Sequence, residues 1–253
     1  MSDSTRSPST DVKHARLRPL KDGPFVYMPA AQGSDNAELV DAHGESTVLD
    51  SRTLLCRCGG SKTKPYCDQS HRFNGYSSER VRHVMPDKRV DYEGSSITVH
   101  DVRGMCSHKS NCINGAPEVF RHDRRPWIDP DAADVEKVVR VVESCPSGSL
   151  FYTIGGVMHC DWDGPPRVIA DPDGPFQVSG PIELTETELP ATTSTDHYSL
   201  CRCGGAKNAP FCDGSHWING FEDPGEYEGG ASAMVPGLPE LGSHGREPDP
   251  PKR

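Results

Sequence analysis

Apolar residues come in short runs along this chain, each long enough for a strand and few long enough for more. Residues 1–16 carry Ser, Thr and charges without a hydrophobic period, which predicts a disordered tail. From Leu17 the texture changes: a turn at Asp22-Gly23-Pro24 leads into Phe25 to Met28, an apolar run suited to a short strand. Ile97 to His100 reads as another strand. Pro130 to Ser144 reads as a helix, with Asp129 as N-cap, Pro130 in the first helical position, and Val135, Val138, Val139 and Val142 on one face. It must stop at Cys145-Pro146, because the residue before a proline is pushed out of the helical region. Leu150 to Ile154 and Val157 to Cys160, separated by Gly155-Gly156, predict a hairpin with a two-residue turn. Gly, Pro, Glu and Ser then dominate the end of the chain, so residues 223–253 are expected to be a second disordered tail.

The pattern repeats itself. CRCGGSKTKPYCDQSH (Cys56 to His71) returns as CRCGGAKNAPFCDGSH (Cys201 to His216), so Cys56, Cys58, Cys67 and His71 match Cys201, Cys203, Cys212 and His216 position for position. The approach repeats too, Asp22-Gly23-Pro24-Phe25 being echoed by Asp173-Gly174-Pro175-Phe176, and so does the exit, where His71 to Tyr76 is echoed by His216 to Phe221. Two copies of one small β-rich domain are implied, around a segment of different grammar. The expected fold is therefore α+β, made of small β-rich domains: 17–84 and 164–222 as the two copies and 85–163 between them.

Composition supports small, stapled domains. Only 34% of residues are hydrophobic, with 25 Gly and 23 Pro, so cores are thin and turns abundant. The 10 cysteines could be disulfides or metal ligands. The N-terminus lacks an apolar stretch for export, so metal sites in a reducing cytoplasm are the expectation. No apolar run reaches the roughly eighteen residues of a membrane span. A net charge of −10 without a basic block argues against nucleic-acid binding.

Three cysteines and a histidine in one loop suit zinc, as an ordinary closed tetrahedral site, or an iron–sulfur cluster; disulfides would leave one cysteine per copy unpaired. The loops resemble the CDGSH iron–sulfur (mitoNEET-like) family, whose motif C-x-C-x2-S/T-x3-P-x-C-D-G-S/T-H the second copy follows through Pro210 to Cys212-Asp213-Gly214-Ser215-His216. The resemblance implies one 2Fe-2S cluster per loop, with Cys56 and Cys58 on one iron and Cys67 and His71 on the other, and Cys201, Cys203, Cys212 and His216 doing the same. Each copy departs once: Gln69 stands where the family has Gly, and Ala206 where it has Ser or Thr, the hydroxyl that Ser61 keeps. Both copies are expected to bind, with unequal stability. Lys62 and Lys207 occupy the family's lysine position, either hydrogen-bonding near the ligand histidine or solvated. Asp68 and Asp213 are expected to brace the loops through backbone hydrogen bonds.

The middle segment resembles the divergent mono-cluster ferredoxin family over about residues 85–155, through Cys106, His108 and Cys112, the run Arg125 to Ile128, and Cys145-Pro146-Ser147-Gly148. Ordinary four-iron ferredoxins have a further cysteine where this chain has Lys109. Cys106, Cys112 and Cys145 suffice for a 3Fe-4S cluster; a 4Fe-4S cluster would need His108 or Cys160, the latter otherwise a buried free thiol. Trp127 and Val142 are expected to wall the cluster from solvent.

No catalytic constellation stands out, and His43, His83 and His197 read as isolated surface histidines. The leading expectation is a non-enzymatic electron relay through two 2Fe-2S clusters and one 3Fe-4S or 4Fe-4S cluster, docking by its acidic surface on a reductase or acceptor enzyme. The runner-up is a cluster-storage, cluster-transfer or sensing protein that hands clusters to an apo iron–sulfur protein. A structural zinc adaptor is the plainest alternative. Two copies on one chain also suggest a monomer containing an internal pseudo-dimer.

Overall fold

Short strands need partners to bury their apolar faces, and here they find them across the repeats. The computed structural model describes residues 14–31, 36–81, 88–190 and 193–227. The first repeat supplies β1 (Ala15–Pro19), β2 (Phe25–Met28), β3 (Glu38–Val40), β4 (Ser46–Val48) and β5 (Leu54–Leu55). The middle segment supplies β6 (Arg89–Glu93), β7 (Thr98–Val102), α1 (Asn111–Gly115), α2 (Val135–Glu143), β8 (Leu150–Ile154) and β9 (Val157–His159). The second repeat supplies β10 (Arg167–Ala170), β11 (Phe176–Ser179), β12 (Ile182–Leu184) and β13 (His197–Leu200).

The two repeats exchange strands. One sheet has the order β12-β1-β2-β5 and the other β13-β11-β10-β3-β4. Thus β12 lies parallel to β1, with Leu17 opposite Leu184, while β3 lies parallel to β10, with Leu39 opposite Val168. Neither sheet is complete without the other repeat, and one shared core results, including Leu17, Phe25, Tyr27, Leu39, Val168, Phe176, Tyr198 and Phe211. The metal loops meet across the same pseudo-twofold relation, in an antiparallel bridge between Cys58 and Cys203. Gly59 (φ 71°) and Gly204 (φ 75°) are required there, since a Cβ on either would lie 2.6 Å from the carbonyl oxygen of Cys203 or Cys58 respectively.

The middle segment forms a third sheet, β6-β7-β8-β9. Alternation along β8 serves two cores: Leu150 and Tyr152 pack with Val138 and Val142 of α2, whereas Phe151 points into the core of the repeats. Val102 and Met105 join Phe151 there, so the middle domain is seated on the repeats.

Several expectations need correction. Ala15 and Arg16 belong to β1 rather than to a tail, because β1 is held between β2 and β12. Residues 223–227 are likewise built in: Asp223 pairs with Arg202 at 2.6 Å and the Gly225 carbonyl accepts the Ala42 N–H. The rest of both expected tails, 1–13 and 228–253, lies outside the described residues, as does His83. The helix starts later than expected, because Pro130–Ala132 is a separate 3-10 turn and Ala133 is extended; Asp134 precedes α2 and Asp129 caps only the short turn. Its buried face is Val138, Val141 and Val142, with Val135 and Val139 half-buried. The Leu150–Ile154 hairpin is present, with Gly155 (φ 57°) and Gly156 (φ 80°) supplying the two positive φ values of its turn. His197 is buried rather than on the surface, its Nδ1 at 2.8 Å from Asp196 and 2.5 Å from Ser194 Oγ, while His43 is exposed beside Glu226.

Candidate metal centres

Each repeated loop presents its four ligand atoms as two pairs. The Sγ atoms of Cys56 and Cys58 lie 3.8 Å apart, and those of Cys201 and Cys203 lie 3.7 Å apart. Cys67 Sγ and His71 Nδ1 are 3.4 Å apart, as are Cys212 Sγ and His216 Nδ1. Two thiolates on one tetrahedral ion, with bonds of about 2.3 Å, stand about 3.8 Å apart, and a thiolate and an imidazole nitrogen about 3.6 Å. Each pair is therefore set for one metal. A single ion holding all four ligands would bring any three of them within such distances. Among the described residues the one group of three ligand atoms within 4.8 Å of one another is Asp161, Asp196 and His197. Those carboxylates are already engaged: Asp161 Oδ1 accepts the Ser194 hydroxyl and the Thr195 N–H, and Asp196 accepts the Trp162 N–H.

The backbone prepares the sulfurs as anions. N–H groups of Gly60, Gln69 and Gly205 each donate to a cysteine sulfur at 3.4 Å. The thiol of Cys56 stabilises the Cys58 thiolate and lowers its pKa, while Cys56 itself moves up; Cys203 and Cys201 behave in the same way. Burial pushes Cys67 up and Cys212 to about 12. Buried sulfurs at such spacing repel as thiolates, and a cation between them reverses that term, so the donor set fits a metal group.

Asp68 and Asp213 close the loops. Their Oδ2 atoms accept the N–H of Lys62 (2.9 Å) and Lys207 (2.8 Å), and their Oδ1 atoms accept the N–H of Ser70 (2.9 Å) and Ser215 (3.0 Å). Burial pushes Asp68 up, but these N–H groups outweigh it and hold the carboxyl at about 2. Ser61 caps its turn, donating to the Tyr66 carbonyl at 2.6 Å and accepting the Thr63 N–H, a role that Ala206 cannot play. Lys62 and Lys207 enter through their backbone.

Behind each pair sits an arginine that the sequence reading passed over. Arg202, 2% exposed, donates to the carbonyls of Asp171 and Gly174, to Asp223 and to Tyr227, and lies over the rings of Phe176 and Phe221. Arg57 repeats this with the carbonyls of Leu20 and Gly23 and the rings of Phe25 and Tyr76. In the first repeat Ser78 stands where Asp223 would be, and burial lowers the pKa of Arg57.

A family model described as "Iron-binding zinc finger CDGSH type" matches residues 23–72 and 173–217, and one described as "Divergent 4Fe-4S mono-cluster" matches 92–154. Two curated relatives, each called "Uncharacterized protein YjdI", from Escherichia coli strain K12 and from Escherichia coli O157:H7, are 44% identical over 61 residues, covering 24% of this chain and 80% of theirs. The chain carries two domains of the CDGSH iron-binding type. Its two CDGSH domains flank a divergent mono-cluster domain. No solved structure matches it.

Between the CDGSH domains, Cys106, Cys112 and Cys145 line one small pocket with Arg103, His108, Trp127 and Ser147. Cys106 follows the turn after β7, Cys112 sits in α1, and Cys145 ends the segment after α2. No three of these ligands crowd one ion, so each is free to take a different metal of a cluster. Burial, and then the charges of Cys145 and Cys106, pushes Cys112 to about 12, again calling for a cation. Arg103 lies 3.7 Å from Cys106 Sγ and stacks 4.2 Å over Trp127. Trp127 thus walls the pocket as expected, whereas Val142 stays in the core behind Cys145. His108 faces the pocket; Cys160 does not, packing against the core of the CDGSH repeats with its thiol on Asp161.

The middle pocket adjoins the second CDGSH loop. A Cβ on Gly214 (φ 81°) would lie 3.0 Å from His108 Cδ2. Gln69 adopts the same left-handed conformation (φ 70°) in the first loop, where its Oε1 accepts from Arg72 of its own turn. The second loop keeps its glycine where the middle domain presses on it.

Proposed function

We propose that this chain is a non-enzymatic iron–sulfur electron carrier holding one 2Fe-2S cluster in each CDGSH loop and one 3Fe-4S or 4Fe-4S cluster at Cys106, Cys112 and Cys145. The observation that carries this reading is the contact of His108, from the middle cluster loop, with Gly214, between the ligands Cys212 and His216. Two cluster loops in van der Waals contact suit one-electron exchange at short range. The grouping of ligands in pairs favours two irons per CDGSH loop over one zinc. When bound, each cluster supplies a one-electron redox couple; the chain sets it by ligand charge and by the nearby cations. Arg57, Arg202 and Arg103 stand beside the ligands and would raise the potentials by favouring the reduced, more negative state. His108 is the favoured fourth ligand of a four-iron cluster, since it lines the pocket. The reciprocal strands favour a monomer, and an acidic chain would dock on a basic partner surface. Among the described residues no helix is long and apolar enough to cross a membrane.

A reductive titration of anaerobically purified protein followed by EPR tests the reading. Signals from reduced 2Fe-2S centres and from the middle centre, broadened by spin coupling when both are paramagnetic, are expected. A preparation showing no paramagnetic centre in either redox state would refute it. The second reading, storage or transfer of clusters, is favoured by one observation: His71 remains partly exposed.

A further inference from the structure

The two CDGSH loops are matched in sequence but not in surroundings. His71 is partly exposed, whereas His216 is 6% exposed. The middle domain packs beside the second loop. Its segment between Cys106 and Cys112 places the His108 ring against Gly214 and sends Lys109 across to Asp171, with Nζ 2.5 Å from Oδ2. Lys109 is the residue standing where ordinary four-iron ferredoxins have a cysteine, and this ion pair gives that replacement a purpose. The repeats align Asp171 with Leu20, so the first loop has no carboxylate at the corresponding place to receive such a cation. Further ties fix the same face. Asn208 donates to the Gly104 carbonyl, and Ser199 Oγ donates to the Pro146 carbonyl at 3.1 Å. Arg202 is fully partnered in the second repeat, while in the first Arg57 leaves its Nε without a partner.

We propose that the segment Ser107 to Asn111 is a lock on the second CDGSH centre. The chain keeps the group held by Cys201, Cys203, Cys212 and His216, and leaves the one held by Cys56, Cys58, Cys67 and His71 open to solvent and to incoming ligands. Lys109 lines the rim of the middle pocket, and it and Asp171 are positioning residues that act by holding the loop closed. The proposal rests on the reading that both CDGSH loops hold clusters, and it divides their labour. The second centre stays as the neighbour of the middle one, and the first is the site of exchange.

The test uses the full-length holoprotein, held anaerobically at one fixed pH and challenged with excess EDTA, with loss of each 2Fe-2S group counted by native mass spectrometry. Two phases are expected, His71→Cys altering only the fast one and His216→Cys only the slow one. Lys109→Met should speed the slow phase by about two- to fivefold, the scale of losing a part-exposed ion pair, and leave the fast phase alone. Asp171→Asn breaks the same ion pair from the other side, without touching the middle cluster loop, and should give the same result. Equal loss rates for the two centres, or a slow phase that neither variant changes, would overturn the lock while leaving the cluster reading intact. A colourless preparation would instead defeat the cluster reading and this proposal with it.

Discussion

Replacing Gly214 with Ala isolates the contact between the middle domain and the second CDGSH loop. Two costs arise, and they are separable. The residue sits at φ 81°, where a side chain costs about 1–2 kcal/mol whatever the space around it. The new Cβ would also meet His108 at 3.0 Å (Cδ2), 3.3 Å (Cβ) and 3.4 Å (Cγ), an overpacking worth about 1–3 kcal/mol. The sum is about 2–5 kcal/mol, and at about 2–4 °C per kcal/mol for a chain of this size Gly214→Ala should lower the melting midpoint by about 4–20 °C. In a His108→Gly background, which removes Cβ, Cγ and Cδ2 alike at a residue whose own φ is 58°, only the conformational part remains, so the same substitution should cost about half as much. The assay is a double-mutant cycle on thermal midpoints read by circular dichroism. Costs that add, with Gly214→Ala equally damaging in both backgrounds, would show that the glycine serves the loop's own backbone rather than the middle domain, and the reasoning would fail.

The CDGSH ligands, the repeat and the three cysteines of the middle domain were legible in the sequence because each is a local pattern with fixed spacing. What the sequence hid is non-local. Nothing in Glu38 to Val40 or Ile182 to Leu184 says that these strands leave their own repeat, since a three-residue strand carries no address beyond its alternation. Lys109 read as a missing cysteine because its partner Asp171 is 62 residues away. The arginine between the first two cysteines of each loop could have been noticed as a repeated residue, but its role needed the carbonyls of Leu20, Gly23, Asp171 and Gly174. Cys160 falls one residue past β9 rather than within it, β8 is buried on both faces, and the Cys160 thiol packs with the core opposite the one containing Cys145.

Arg202→Met leaves Asp223 buried without its cation, which should cost about 3–5 kcal/mol, seen as a large drop in the thermal midpoint; Arg57→Met, lacking such a carboxylate, should cost less. Cys160→Ser should leave the EPR signature of the middle centre unchanged, and a change would make Cys160 its ligand. All 7 tyrosines have pKa values raised by burial above the ordinary 10. The folded state therefore holds these protons more tightly, so the associated stability is intact below pH 10 and is lost as pH rises beyond it. Tyrosinate absorbance should accordingly rise together with alkaline unfolding, and a separate ionisation step near pH 10 in the folded protein would contradict the burial.

That the three ligand sets hold iron–sulfur clusters is tested directly by a count of iron, acid-labile sulfide and zinc on protein purified without oxygen. Two 2Fe-2S clusters and a three- or four-iron cluster predict about seven or eight iron and about eight sulfide per chain in a coloured protein, with no zinc. A colourless protein carrying stoichiometric zinc and no sulfide would contradict it.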